Sequence, residues 1–402
     1  MRLTNLTNKH PWDLVLSKED SQQSETWEKL KELHILGDIK PGDRISTETG
    51  DITNNLGRLA KMFAGEYRVI DHTLADGNFK QGLLRISPSS TANICHDIPA
   101  STEQLESKLN EHGHILIRTG EPLNEGKILE VIGGTERLMN YKNGLNQRKK
   151  VPDSIFSDVT PWSKEEEILP HNELSHHTEF PKYVSFICKQ PAQYGGETTI
   201  YDCQQAFANL SPSFQKQATE RNVIFVRKHV EQRNHQKYDS SWQAILAKTS
   251  KDAIAYWEKL GYTCFLHRES ENGKVIDVVE TQLKRPFAYR YKGKICLHAS
   301  IVGAAAYWYR QVMGGKKPQM ELKWDNGEAL PEEQLQEMEE AIKSARVFYN
   351  NWQKNDLLIL DNLRIAHGRL PFLGERLVGI LMGGKASFEF KENEWIVGEE
   401  CN

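Results

Sequence analysis

The sequence predicts a mainly β protein of the α+β class, with a sandwich or jelly-roll core and flanking helices. Beyond Pro170, short apolar segments rich in β-branched and aromatic residues recur along the chain, and long connections separate them. Few segments have the periodicity of an amphipathic helix. No internal repeat and no low-complexity tract interrupts this pattern. Many short strands with long connections are typical of a β sandwich or jelly roll.

The first 80 residues differ from the remainder of the chain. They are polar, with a helix-like charged patch at Trp27 to His34 and turn signals at Pro41-Gly42 and at residues 48–51. We therefore expect residues 1–80 to form an N-terminal extension packed on the core, and residues 81–402 to form the core domain.

Turn signals become regular from Ile86 onward. The run Ser101-Thr-Glu-Gln predicts a helix that opens with a capping box, and His114-Ile-Leu-Ile predicts the strand that follows. Further strands are expected at 183–188, 198–201, 223–226, 294–297, in the apolar run before Asp361, and at 376–382. Helices are expected at 244–260, 300–312 and 331–348, the last after a proline start with acidic residues in its first turn.

Composition excludes several classes of partner. A net charge of −4, from 51 basic and 55 acidic residues, lacks the basic footprint of a nucleic-acid-binding protein. No apolar run is long enough to cross a bilayer, and the N-terminus lacks the apolar segment of a secretory signal. Six cysteines are scattered singly, which favours free thiols in a reducing, cytoplasmic setting. The expected partner is a small-molecule substrate, and a homo-oligomer is left open.

The strongest local signal is His171-Asn172-Glu173. On an extended strand the two outer side chains leave the same face, which suits adjacent metal ligands. One imidazole and one carboxylate, joined by a second histidine, would form the facial triad of non-haem Fe(II) oxygenases. The motif is weak alone, because an exposed histidine beside an acid is usually a surface pair. His177-Thr178-Glu179 repeats the same pattern six residues later.

A second landmark decides between the two pairs. Gly195-Gly196-Glu197-Thr198 reads on its own as a plain hairpin turn. Together, however, residues 169–175 and 191–198 resemble the metal-binding strand and following turn of the taurine dioxygenase superfamily. There the carboxylate ligand precedes the threonine by about two dozen residues. Glu173 precedes Thr198 by 25 residues, whereas Glu179 precedes Thr198 by only 19. The resemblance therefore assigns His171 and Glu173 to the metal.

The segment from Asp361-Asn362 to Arg376 extends this resemblance, which covers about residues 86–387. It implies that His367 is the distal metal ligand. It also implies that Arg376 binds the far carboxylate of 2-oxoglutarate through its guanidinium, with the Thr198 hydroxyl as a second donor. The same segment is similar to the butyrobetaine and trimethyllysine hydroxylase branch.

Fold and activity follow from the resemblance as expectations. The fold would be a double-stranded β-helix (jelly roll, cupin-like). The protein would be a dioxygenase that uses Fe(II), 2-oxoglutarate and O₂ to oxidise a C–H bond of a small polar, amino-acid-like or carboxylate substrate, releasing succinate and CO₂. Hydroxylation is the first expectation, and oxidative C–C cyclisation, as in the kainoid synthases of secondary metabolism, is the variant.

Departures from the family pattern narrow these expectations. Relatives that halogenate lack the metal carboxylate, whereas this chain keeps Glu173, a glutamate where aspartate is more common. Halogenation is therefore disfavoured. Taurine is disfavoured too, because no further arginine lies just beyond Arg376.

Substrate contacts are predicted only by residue chemistry. The residues that could bind a substrate carboxylate are His176, Arg148, Arg227, Arg233 and His298. For the basic cluster 227–233, a solvated charged loop is an equally good interpretation.

Two other classes of function compete with the oxygenase. A non-catalytic, cupin-like sensor of iron or 2-oxoglutarate would be expected to lack a ligand or the anchoring arginine, and neither is missing here. A zinc hydrolase usually carries its histidines at helical spacing, unlike His171 and Glu173.

Overall fold

The structure is a computed structural model. Outside the N-terminal part, it describes residues 94–95, 97–139, 151, 154–159, 164, 167–192, 194–231, 241–271, 273–304, 320–349 and 352–399. In the N-terminal part it describes four strands, β1 (Leu14–Val15), β2 (Arg44–Thr47), β3 (Tyr67–Thr73) and β4 (Phe79–Arg85).

These four strands form one antiparallel sheet in the order β1-β2-β3-β4. The final strand, β4, pairs along its whole length with β3, so the sheet runs past the predicted boundary at residue 80. The helix-like patch at Trp27 to His34 lies outside the described residues. The division into an extension and a core domain stays a prediction.

In the first half of the core, the residues that the structure describes form eight strands and four helices. These are β5 (Ile94–Cys95), α1 (Thr102–His112), β6 (His114–Ile117), α2 (Glu125–Val131), β7 (Ser157–Asp158), β8 (Ile168–His171), β9 (Tyr183–Gln190), β10 (Tyr194–Gly195), β11 (Thr198–Asp202), α3 (Cys203–Ala208), α4 (Pro212–Glu220) and β12 (Asn222–Val230). A 3₁₀ turn, Thr135–Arg137, follows α2.

The described part of the second half contains twelve strands and, apart from the helical residues 300–304, two helices. These are α5 (Ser250–Lys259), β13 (Thr263–Glu271), β14 (Lys274–Pro286), β15 (Ala288–Tyr291), β16 (Lys294–Leu297), β17 (Met320–Trp324), α6 (Glu332–Ser344), β18 (Arg346–Tyr349), β19 (Leu357–Asp361), β20 (Ile365–Arg369), β21 (Phe372–Leu373), β22 (Leu377–Gly383), β23 (Ala386–Lys391) and β24 (Glu394–Glu399). A second 3₁₀ turn, Trp242–Ile245, precedes α5.

Two sheets form the double-stranded β-helix. The larger has the order β5-β6-β19-β9-β22-β7, and the smaller has the order β18-β11-β20-β8. Every residue of β6, β11, β19 and β20 is buried, as expected for strands covered on both faces. The predicted jelly-roll fold is confirmed.

Three further sheets complete the described core. One has the order β13-β14-β12-β17, another the order β16-β15-β24-β23, and a short pair joins β10 to β21. One face of the first of these sheets is buried through alternate residues of β12 and β14, including Val223, Phe225 and Leu283.

Most local predictions are close to the observed elements. Ser101 caps α1 by accepting a hydrogen bond from the Gln104 backbone nitrogen. The predicted strand 294–297 matches β16. The helix predicted at 331–348 was too long, because α6 ends at Ser344 and the β-branched and aromatic residues that follow form β18.

The helix predicted at 244–260 begins later, at Ser250, where Thr249 and Asp252 form a capping box. Residues 300–304 are helical, and the remainder of the helix predicted at 300–312 lies outside the described residues. Among the residues that the structure describes, no helix is both long and apolar enough to span a membrane.

Candidate active site

Strand pairing brings two histidines together. In the antiparallel pair β8–β20, His171 lies directly opposite His367. Paired residues project from the same face of a sheet, and the two imidazole centroids are 4.4 Å apart. The same pairing logic places Ile200 of β11 opposite His367 and Thr198 opposite Arg369. Thr198 therefore lies on the same sheet face as both histidines.

Glu173 completes the group. Its Oε2 atom lies 3.9 Å from His171 Nε2 and 3.6 Å from His367 Nε2. One donor atom from each of the three residues lies within 4.8 Å of the other two. Among the described residues, this is the one cluster of histidine, cysteine and acidic side chains close enough to share a metal ion.

The prediction of an extended strand through Glu173 was wrong. Strand β8 ends at His171, and the chain enters a turn in which Leu174 has a φ of 56°. The Asn362 side chain holds this turn from two sides. Its Oδ1 accepts from the Glu173 backbone nitrogen at 2.7 Å, and its Nδ2 donates to the Glu173 carbonyl at 3.1 Å.

Asn172, between the two predicted ligands, anchors the same turn. Its side chain donates to the Asn362 carbonyl at 2.8 Å and accepts from the Ala299 backbone nitrogen at 3.2 Å. Its backbone nitrogen donates to Ser300 Oγ, which in turn donates to the Asn172 carbonyl. The sequence motif includes Asp361-Asn362, but it does not reveal these supports, which join distant parts of the chain.

The donor set fits a ferrous ion. Nδ1 of His171 donates to the Leu169 carbonyl at 2.9 Å, which leaves Nε2 as the atom with a lone pair, facing Glu173. Nε2 of His367 also faces Glu173, whose side chain is only 7% exposed. Two imidazole nitrogens and one carboxylate oxygen are the ligands of a facial Fe(II) triad.

Gly368 allows the two histidine strands to approach. A Cβ atom at this position would lie 2.4 Å from the Ile168 carbonyl oxygen and 2.9 Å from Thr199 Oγ1. The first of these is backbone and cannot rotate away. The glycine that follows His367 is therefore a packing requirement of the β8–β20 pair.

Arg376 lies beside the glycine turn. Its Nε donates to the Gly196 carbonyl at 3.0 Å, two residues before Thr198. Gly196 has a φ of +74°, and a Cβ there would meet the Arg376 side chain at 3.0 Å. Burial lowers the pKa of Arg376 to about 10, which still leaves the guanidinium charged at neutral pH.

The Thr198 hydroxyl is oriented by a residue that sequence reasoning missed. Trp352 Nε1 donates to Thr198 Oγ1 at 3.1 Å, and Thr198 is 3% exposed. Because the indole nitrogen can only donate, the threonine hydroxyl proton remains available for another acceptor. A carboxylate bound by Arg376 would be such an acceptor.

The rival acid lies elsewhere. Glu179 is exposed, whereas Glu173 is buried. His177, the other member of the rival pair, directs Nδ1 to the Tyr262 hydroxyl at 2.8 Å. The second His-x-Glu segment therefore does not share in the metal-ligand cluster.

His298 does not fit its predicted role as a substrate contact. It is fully buried, and its Nδ1 donates to the Pro286 carbonyl at 3.0 Å. Its Nε2 then accepts from the Ser175 hydroxyl at 2.8 Å. Burial lowers the pKa of His298 to about 3, so the ring is neutral and both nitrogens are occupied. We correct its role to support of the turn that carries Glu173.

Of the other predicted substrate residues, two lie close together and two lie outside the described residues. Arg227 and His176 lie near each other, since the charge of Arg227 contributes to a lowered pKa of His176, after burial and the neighbouring His177. The His176 ring lies 6.3 Å from that of Phe225, on the strand that carries Arg227. Arg148 and Arg233 lie outside the described residues.

Residues 87–383 match the family described as "Taurine catabolism dioxygenase TauD, TfdA family". The chain belongs to this family. It is an Fe(II)- and 2-oxoglutarate-dependent dioxygenase, with O₂ as the second co-substrate.

Two similar proteins cover most of the chain. The dapdiamide synthesis protein DdaC of Enterobacter agglomerans is 23% identical over 303 residues, which span 73% of this chain and 89% of that protein. A clavaminate synthase-like protein of Arabidopsis thaliana is 23% identical over 288 residues, spanning 68% and 82% of the two chains.

Solved structures include two similar chains. A taurine dioxygenase from Burkholderia xenovorans has a TM-score of 0.41 at 13% identity, covering 78% of this chain and 94% of its own. AAD-2 in complex with Mn(II) and N-oxalylglycine has a TM-score of 0.41 at 12% identity, covering 73% and 91%.

Proposed function

We propose that this TauD-family dioxygenase oxidises a C–H bond of a small polar substrate that is amino-acid-like or carries a carboxylate. His171, Glu173 and His367 would hold the iron, and Arg376 and Thr198 would hold 2-oxoglutarate. The observation that carries the proposal is the convergence of three donor atoms within 4.8 Å of one another in a chain of this family.

The protein's own residues have positioning tasks. The Leu169 carbonyl keeps the His171 imidazole in one orientation, and the Asn362 amide holds the backbone of Glu173. Arg376 and Thr198 would bind the far carboxylate of 2-oxoglutarate. When bound, iron with 2-oxoglutarate and O₂ supplies the oxidising chemistry, with release of succinate and CO₂. Burial of Glu173 and His367 limits access of water to the reacting centre.

Hydroxylation is the first proposed outcome, and oxidative C–C cyclisation of an amino-acid-like substrate is the second. Similarity to a dapdiamide synthesis protein and to a clavaminate synthase-like protein supports a place in secondary metabolism.

The test is incubation of the full chain with Fe(II), 2-oxoglutarate and a metabolite extract, followed by mass spectrometry. A substrate that gains one oxygen atom indicates hydroxylation, and one that loses two hydrogen atoms indicates ring closure or desaturation. Succinate should form in both cases. If no succinate forms with or without extract, the catalytic proposal fails and the sensor alternative is favoured.

The assignment of Arg376 has its own test. Arg376→Leu should raise the half-saturating concentration of 2-oxoglutarate by roughly ten- to a hundredfold, because a charged hydrogen bond contributes about 1.5–3 kcal/mol. Arg290→Leu is the matched control, since the partly exposed side chain of Arg290 on β15 pairs with Glu394 of β24. An unchanged requirement in Arg376→Leu would mean that another cation anchors the co-substrate.

A further inference from the structure

A second polar cluster lies next to the candidate metal site. The turn that carries Glu173 continues into His176 and His177, and these residues lie against the buried face of the β13-β14-β12-β17 sheet. Arg285 of β14 donates through Nη2 to the His177 carbonyl. The charges of Arg227, Arg285 and Glu173 all influence the pKa of His177. The cluster therefore joins the metal-site turn to two arginines.

Strand register explains why both arginines face this turn. Arg285 lies opposite Val223, and Arg227 lies opposite Thr281, in the antiparallel pair β12–β14. Because positions 223 and 227, and likewise 281 and 285, are separated by even numbers of residues, all four side chains share one face. Phe225, between the two arginines in space, lies 6.3 Å from the His176 ring.

Arg285 has unused hydrogen-bonding capacity in spite of its burial. It is 5% exposed, and it donates hydrogen bonds to two carbonyl oxygens, those of Lys284 and His177. Its Nε is buried without a hydrogen-bond partner among the described residues. Burial lowers its pKa to about 10, so the guanidinium still carries a charge at neutral pH. Such a buried cation ordinarily has an anionic partner.

The two histidines add further unused nitrogens. Nε2 of His176 and Nε2 of His177 are buried with no hydrogen-bond partner in the described part of the chain. Burial keeps the pKa of His177 at about 3 and that of His176 well below its usual range, so both rings are neutral at physiological pH. A neutral imidazole can donate one hydrogen bond to an anion without adding charge.

These observations point to a ligand. We propose that Arg285, with His176 and His177, binds a carboxylate group of the substrate, and that Arg227 adds positive potential to the same cluster. This inference rests on the proposed function and specifies the substrate class: an organic acid, whose carboxylate is held at the β12–β14 sheet while another part of the molecule reaches the metal site. The planar guanidinium suits a planar carboxylate.

The position of the cluster supports this role. His176 is partly exposed, whereas Arg285 and His177 are buried, so the cluster runs from the protein surface into the interior. His176 lies three residues after Glu173 in a tight turn, which limits its distance from the metal ligands. A small molecule could therefore contact both sites.

The experiment compares paired probes on the full-length protein loaded with Fe(II) and 2-oxoglutarate. The probes are L-α-amino acids and short dicarboxylic acids, each matched with its primary amide, together with inorganic phosphate. The readouts are the melting temperature and the stimulation of succinate formation above its basal rate. We expect at least one acid to raise both readouts, with its amide at least ten times weaker.

Variants of Arg285 test whether this residue binds the carboxylate. Arg285→Gln should raise the half-effective concentration of that acid at least tenfold, measured by the shift in melting temperature, and Arg290→Gln, at a partly exposed arginine outside the cluster, should leave that concentration unchanged. If Arg285→Gln fails to fold, Arg285→Lys, which keeps the charge but not the fork, should show a smaller loss. Equal responses to acid and amide, no response to any acid, a response to phosphate alone, or an unaffected Arg285 variant would overturn the proposal. Absence of basal succinate would instead count against the oxygenase function, because melting shifts do not require turnover.

Discussion

The segments His171-Asn172-Glu173 and His177-Thr178-Glu179 share a sequence pattern but lie in different surroundings. In the first, histidine is the last residue of a paired strand, and the glutamate backbone is held by Asn362. In the second, the histidine lies against a β-sheet that carries two arginines, and its ring forms a hydrogen bond with Tyr262. The glutamate of this segment is exposed. The comparison teaches that a ligand motif is defined by the partners of its backbone as much as by its spacing.

The largest expected effect is the difference between alanine variants of Glu173 and Glu179. Glu173→Ala should abolish both Fe(II) binding and 2-oxoglutarate turnover, because two imidazoles alone leave the charge of the ion uncompensated. Glu179→Ala, the matched control, should retain both, because its side chain is exposed and outside the ligand cluster. Metal titration and succinate assays measure the outcome. Loss of activity only in the Glu179 variant would reverse the assignment.

A smaller effect should follow when only the backbone support of the first segment is removed. Asn362→Ala deletes an acceptor for the Glu173 nitrogen and donors for the Glu173 and Pro181 carbonyls. We expect Fe(II) affinity to fall by roughly ten- to a hundredfold, as is usual when an outer partner of a metal ligand is lost.

Asn362→Asp keeps the acceptor but loses the amide donors, so its affinity for Fe(II) should lie between those of the wild type and the alanine variant. The metal affinity is measured by titration under anaerobic conditions. An Asn362→Ala variant with wild-type affinity would show that strand pairing alone positions Glu173.

The third effect concerns the stability of the protein rather than its metal site, and is a dependence of stability on pH in the second segment. His177, like His298, has a pKa of about 3 in the folded protein, chiefly through burial, against about 6.5 when unfolded. A lowered folded pKa means that this stability is present above pH 6.5 and is lost as the pH falls toward 3. Each ring should remove about 1.4 kcal/mol per pH unit over that range.

Melting temperatures between pH 7 and pH 4.5 would measure this loss. His177→Gln removes one of the titrating rings, so its melting temperature should fall less steeply with acidification than that of the wild type. Equal slopes for the two proteins would contradict the neutral, buried state of His177.

Much of the fold was accessible from the sequence because short apolar strands bounded by turn residues are local signals. The segment 294–297 and the strand after Gly196 are examples. The end of α6 at Ser344 was not predicted, because no glycine or proline separates the helix from β18 and the pairing of β18 with β11 is a long-range contact. There, sheet pairing with a distant strand overrides local propensity.

Some residues of the candidate site could likewise be predicted from the sequence, and others could not. Residues with metal-binding chemistry could be found by their order and spacing. The contacts of Asn362 and Trp352 join residues more than 150 positions apart, and no local pattern records such contacts. His298 was misjudged for a related reason, since a histidine's chemistry is visible in the sequence but the carbonyl and hydroxyl that occupy its nitrogens are not.

Gly368 gives the centre an unusual vulnerability. The hydrogen atom at that position leaves room for the carbonyl of Ile168, and so permits the strand that ends in His171 to lie against the strand that carries His367. One added methyl group would separate the imidazoles without touching either ring. Damage to the iron centre could thus arise from a residue that contributes no atom to it.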